Sequence, residues 1–174
     1  MNIQELEKVY AKLPQVAALA QTIGNSSEET IFLEGLLGSS APMLFGCLAS
    51  QCQRPFLFVL QDAEEAGYFY HDLVQLMGDG PLFFPSSYRR AIKYAQRDSA
   101  NEILRTEVLA RLSSLHAPLS SFLYIVTYPE ALAEMVVSKQ SLDTRTLVLK
   151  KDQTVSVSDI EVTLREFGFK EVDY

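Results

Sequence analysis

Positive charge is scarce in this chain. Fifteen lysines and arginines stand against 22 aspartates and glutamates, a formal net charge of −7. A surface with that balance does not draw nucleic acid to itself as a whole. Cysteine and histidine are scarcer still, at two each. Cys47 and Cys52 lack the C-x-x-C spacing of a redox or zinc motif, and on one helix they point to different faces. They read as small buried apolar residues of a reducing compartment. His71 and His116 have no cysteine or acidic partner at ligand spacing, so they make no zinc site. No nucleophile elbow accompanies either histidine, and both read as surface or helix-end residues. Long apolar runs are missing too: none approaches the ~18 residues of a membrane span, and Met1 to Lys8 is too polar for a signal peptide.

What is present is an ordinary globular composition, 48% apolar and 21% charged over 174 residues. That length holds one domain, or a domain plus a fragment, with a substantial core. Residues 2–12 and 14–23 read as short helices separated at Pro14. Thr30 to Glu34 reads as a first core strand. A helix over Ser39 to Gln51 follows, with Met43, Leu44, Cys47 and Leu48 on its apolar side. Pro55 to Leu60 is a short continuous apolar run, the pattern of a strand buried on both faces. Asp62 can cap a helix carrying Ala66, Phe69, Tyr70, Leu73 and Leu76 and ending near Gly78. Leu82 to Phe84 and Phe122 to Val126 read as further strands. Between them Leu104, Val108, Leu112 and Leu115 form a helical stripe with Asp98 or Ser99 as its cap, and Pro129 opens another helix. Strands alternating with helices predict a parallel sheet covered on both faces, an α/β domain over residues 1–144.

Residues 138–146 turn polar and read as a linker into a second unit at 145–174. There Leu147 to Leu149 reads as a strand, Ser156 or Ser158 as the cap of a helix through Ile160, Leu164 and Phe167, and Gly168 as its stop. Glu171 to Tyr174 reads as the start of another strand. So short a unit does not hold a core alone, so the expectation is the opening part of a truncated second domain.

The candidate site is a glycine loop, Gly35-Leu36-Leu37-Gly38-Ser39-Ser40-Ala41-Pro42, between the first strand and its helix. A working phosphate loop reads G-x-x-x-x-G-K-[ST]: backbone N–H groups close around phosphates, the lysine neutralises charge and the hydroxyl holds magnesium. Here Ser40 stands for the second motif glycine, Ala41 for the lysine and Pro42 for the hydroxyl residue. The reading is a vestigial loop on a nucleotide-enzyme scaffold; the alternative is a plain strand-to-helix turn. A helix N-terminus still attracts anions weakly. A second feature is the basic stretch Arg89, Arg90, Lys93 and Arg97, interleaved with Tyr88 and Tyr94. It is a candidate phosphate or nucleic-acid contact with rings for stacking, against the alternative of a solvated face or an intramolecular contact. Asp62, Glu64 and Glu65 suggest a magnesium site less well than they suggest a capped helix start.

The order of these features resembles the N-terminal region of the bacterial transcription-repair coupling factor, a DNA translocase that links stalled RNA polymerase to nucleotide excision repair. That region is itself similar to the helicase of the excision-repair system. The residues that carry the resemblance are Leu33 to Ser39, Arg54 to Val59, Asp62 to Ala66, Phe84 to Tyr88, Arg97 to Glu102, the helix with Arg105, Leu109 and Leu112, Ile125 to Thr127, Leu147 to Lys151 and Gly168 to Asp173. The resemblance implies a helicase-like, Rossmann-type domain followed by a small second α/β domain. It implies a module that does not hydrolyse ATP, with ATP and magnesium belonging to the motor further along the parent. It also implies a bacterial cytoplasmic protein that helps recruit the damage-recognition ATPase through the completed second domain and helps restrain the free factor. The repair helicase carries a DNA-entering aromatic hairpin before its Pro-Ser-Ser segment. Here Phe84 runs directly into Pro85, so that hairpin has no room. Two alternatives stay open: a genuine nucleotide-binding domain with an atypical loop, and a purely structural autoinhibitory domain.

Overall fold

A computed structural model describes residues 2–24, 30–52, 54–88, 97–114 and 123–172. The chain divides into two compact units, Met1–Met135 and Val136–Tyr174. The first opens with helix α1 (Ile3–Tyr10), whose N-terminus is closed reciprocally. The Asn2 side chain accepts from the Glu5 amide, and the Glu5 carboxylate accepts from the Asn2 amide. Helix α2 (Pro14–Gly24) starts on the proline expected to separate it from α1, where a missing N–H costs nothing. Helix α3 (Ser40–Gln51) packs against both, and Val16, Leu44, Cys47, Leu48 and Cys52 form one buried cluster there. Both cysteines are buried, as expected of small apolar residues, and burial raises both thiol pKa values.

The rest of this unit is mixed α/β. Strand β1 (Phe56–Val59) leads to α4 (Ala63–Met77), β2 (Pro81–Phe83), α5 (Ser99–Ser114), β3 (Tyr124–Thr127) and the single turn α6 (Pro129–Leu132). The strands form a small parallel sheet in the order β1-β3-β2. Alternation along the strands assigns the helices to faces. Phe56, Phe58 and Phe83 turn toward α3 and α4: Phe58 meets Phe45 at 5.1 Å and Phe69 at 5.0 Å, and Phe83 stacks on Tyr70 at 5.2 Å. Leu82 and Phe84 turn the other way, where the Arg105 guanidinium of α5 lies over the Phe84 ring. Asp62 caps α4 as expected, its carboxylate accepting from the Glu64 and Glu65 amides.

Several expectations are corrected. Thr30 to Glu34 forms no strand; Phe32 is 86% exposed, and these residues make no ladder hydrogen bonds. Their β-branched and aromatic content fits a pleated surface, but such a preference acts only where a neighbouring strand is available. The sheet is therefore three-stranded among the described residues. Second, β1 is not buried on both faces: Phe56 and Phe58 are half-buried while Leu57 and Val59 are exposed. Among the described residues, no helix covers that second face beside β1. Third, the buried line of α5 runs through Arg105 and Val108, and Leu112 is exposed. Leu115 and Phe122 lie outside the described residues. Fourth, residues expected as a polar linker include a helix, α7 (Lys139–Thr144), capped by Ser138.

In the second unit Leu147 to Leu149 form no strand, and neither do Glu171 and Val172; Asp173 and Tyr174 lie outside the described residues. Helix α8 (Val157–Glu166) has the predicted ends. Ser156 accepts from the Asp159 amide, and Gly168 at φ 90° lets the Gly168 and Phe169 amides turn back to Arg165 and Leu164. No residue of α7 or α8 is buried.

Leu73 is fully buried under the sheet, whereas Leu57 is 58% exposed. Leu73→Ala is expected to lower unfolding free energy by about 2–5 kcal/mol and Leu57→Ala by no more than about 0.5 kcal/mol, measured by urea denaturation. Equal losses at the two positions would mean the layers are assigned wrongly.

Candidate functional site

The glycine loop enters α3 through two left-handed residues, Gly35 at φ 82° and Gly38 at φ 54°. Glycine at both positions is a backbone requirement, whatever the loop binds. Ser39 precedes α3 without a side-chain capping bond, and the Ser40 hydroxyl is buried without a hydrogen-bond partner. Ala41 packs against the sheet core, and Pro42 is buried. The two positions that carry the lysine and the hydroxyl in a working loop are thus taken into packed protein. The strand expected ahead of the loop is absent, so the strand–loop–helix frame is present only from the loop onward.

Of the basic stretch, Arg97 is described and Arg89, Arg90, Lys93 and Tyr94 lie outside the described residues. Tyr88 and Arg97 pair as an isolated antiparallel bridge, and the Asp98 amide donates to the Ser87 carbonyl at 2.8 Å. The two ends of the stretch are therefore pinned together. The Arg97 guanidinium pairs with Glu102 at 3.0 Å on an exposed surface, where ion pairs contribute little. Asp62 and Glu65 serve the start of α4: Asp62 caps it, and the Glu65 carboxylate accepts from the Gln61 amide. His71 is exposed on α4, and His116 lies outside the described residues.

A third constellation, which sequence patterns do not single out, lies beyond the C-terminal ends of β2 and β3. In open parallel sheets this is where ligands are held. The Glu134 carboxylate, just past α6, is gripped by the segment that follows β2. It accepts from the Ser86 hydroxyl, from the Ser87 hydroxyl at 2.6 Å and from the Ser87 amide at 3.0 and 3.1 Å. The Ser86 amide donates to the Tyr128 hydroxyl at 2.8 Å, and the Asn101 side-chain amide donates to the Ser86 carbonyl at 2.8 Å. Arg105 reaches in from α5 with only 6% of its surface exposed. Its Nη1 donates to the Pro85 carbonyl at 2.7 Å and the Ala131 carbonyl at 3.1 Å, and lies 3.6 Å from the Glu134 carboxylate. Its guanidinium carbon sits 4.1 Å from the Phe84 ring centroid, and its Nη2 is buried without a hydrogen-bond partner. Burial alone pushes the Glu134 carboxyl pKa up. The bonds from Ser86 and Ser87 and the Arg105 charge outweigh that and hold it below the usual value of 4.5.

The sequence signals for this knot are faint: a Pro-Ser-Ser triplet directly after a strand, and an arginine one position beyond the leucine of an apolar helical stripe. Tyr128 and Glu134, which meet the serine segment, are 42 to 48 residues away in the chain, a separation that local periodicity does not register. Comparison with protein-family models, with curated proteins and with solved structures returned no match for this chain.

Glu134→Gln keeps the shape of the side chain and removes its charge. Because the folded-state pKa is depressed, the charge contributes stability above the unfolded carboxyl pKa and loses it as pH falls through the folded value. The variant is expected to be about 1–3 kcal/mol less stable at pH 7, with the gap closing as pH drops below the ordinary carboxylate range. Paired denaturant melts between pH 7 and pH 3 measure this. A gap that stays constant with pH would contradict the charged role of Glu134.

Proposed function

We propose that this chain is a non-catalytic, helicase-like Rossmann-type module of a transcription-repair coupling factor, the DNA translocase that connects stalled RNA polymerase to nucleotide excision repair. One observation carries the non-catalytic part. Ala41 and Pro42 stand at the cation and hydroxyl positions of the loop and are packed into protein. A phosphate loop without its lysine has no charge to set against the terminal phosphates, and without a hydroxyl it offers magnesium no ligand. The parallel sheet with its packed helices agrees with a nucleotide-enzyme scaffold, and a fold of that kind does not by itself confer activity.

The role is then recruitment and restraint. The module contributes to engaging the damage-recognition ATPase of excision repair through a completed second domain, and to holding the free factor inactive through the parent's other domains. The exposed apolar residues of the second unit, Val148, Val157, Val162 and Phe169 among them, support a surface that is finished by further protein. ATP and magnesium belong to the parent's motor, not to this module.

The test is a binding titration between the damage-recognition ATPase and a chain holding this module with a complete second domain. Saturable association at micromolar concentrations is expected, and it should survive Gly38→Leu, which distorts the glycine loop. No association at tens of micromolar, with both partners folded, would remove the recruitment role.

A further inference from the structure

The grip on Glu134 has the composition of an anion site. A carboxylate is held by two serine hydroxyls and one backbone amide, beside a guanidinium, in the crevice beyond the ends of β2 and β3. Oxyanions bound by proteins are met by the same donor set: hydroxyls, main-chain N–H groups and arginine. What fills the site is the chain's own side chain, and it fills it incompletely. A carboxylate brings two oxygens, and both are engaged by Ser86 and Ser87. The Arg105 Nη2 atom, on a side chain more than nine-tenths buried, is left without an acceptor. An unsatisfied donor on a buried charged group is costly, and an anion with more oxygens would relieve it.

We propose that this crevice is a cradle for a tetrahedral oxyanion of the phosphate type, which the chain keeps closed with Glu134 as an internal substitute. Four oxygens in place of two can satisfy Ser86, Ser87 and the free Arg105 Nη2 together. Glu134 follows the one-turn helix α6 and is not within a regular element. Its withdrawal therefore breaks no helical hydrogen bond, while Arg105 stays anchored to the Pro85 and Ala131 carbonyls. The cradle's residues are different from those of the glycine loop, so its test does not depend on that loop.

The test uses the whole chain with Glu134→Ala and inorganic phosphate as the probe, against sodium chloride at matched ionic strength. Phosphate is expected to raise the melting temperature of Glu134→Ala saturably by about 3–6 °C at ten times its dissociation constant. Wild type should rise by less than half as much, because Glu134 already occupies the site. Adding Ser87→Ala to Glu134→Ala should weaken phosphate affinity about tenfold, the loss of one charge-assisted hydrogen bond. An equal rise in wild type would reduce the effect to general salt stabilisation and overturn the proposal. Rescue by acetate as strong as by phosphate would overturn the tetrahedral assignment. If Glu134→Ala does not fold in chloride, the readout becomes refolding yield: recovery in phosphate supports the cradle, and failure in both salts overturns it.

Discussion

The constraint on which the sheet end of this structure depends is the burial of one guanidinium. Arg105 points inward from α5, where a helix of this kind ordinarily places leucine or valine. A charge removed from water must be met by acceptors and an opposite charge, or it destabilises the fold by several kcal/mol. The surroundings supply both. Two carbonyls, from the segments after β2 and after β3, accept from Nη1, the Phe84 ring lies against the cation, and Glu134 provides the negative charge. The partners come from both segments, so satisfying one arginine holds α5, the Pro85-Ser86-Ser87 segment and the α6 turn in fixed relation. Main-chain carbonyls are involved on both sides, which makes the arrangement hard to reproduce with lysine, a point charge without the planar fork.

That closure also bears on function. A parallel sheet ordinarily leaves the crevice beyond its strand ends open to a ligand. In this unit the corresponding ground is occupied by the protein's own serines, carboxylate and arginine, and the glycine loop at the start of α3 has its diagnostic positions packed away. Both places are thus filled by the chain's own side chains. Aromatic packing between β1, α3 and α4 gives the fold its layers.

What is legible in the sequence follows from the range of the interactions involved. Caps and stops are plain because they act within a turn: Asp62, Ser156 and Gly168 each do locally what their residue type dictates. Short apolar runs bounded by proline or a polar residue mark β1, β2 and β3, and alternation with helices implies the parallel sheet. Thr30 to Glu34 misleads because its composition describes a willingness to pair, and pairing needs a partner edge that composition does not supply. The inward face of α5 misleads because leucines mark a stripe more loudly than an arginine does, and here the arginine is the buried residue. The Glu134 knot is the least legible part. Its members are ordinary polar residues until folding brings segments more than 40 residues apart into contact.

The central claim is that the glycine loop is a relic and that this module binds no nucleotide. Calorimetric titration of the chain with magnesium-ATP at physiological salt tests it most directly. The account predicts no saturable heat up to millimolar nucleotide. Saturable binding at micromolar concentration, abolished by Gly38→Leu, would contradict it and make the loop a working nucleotide site.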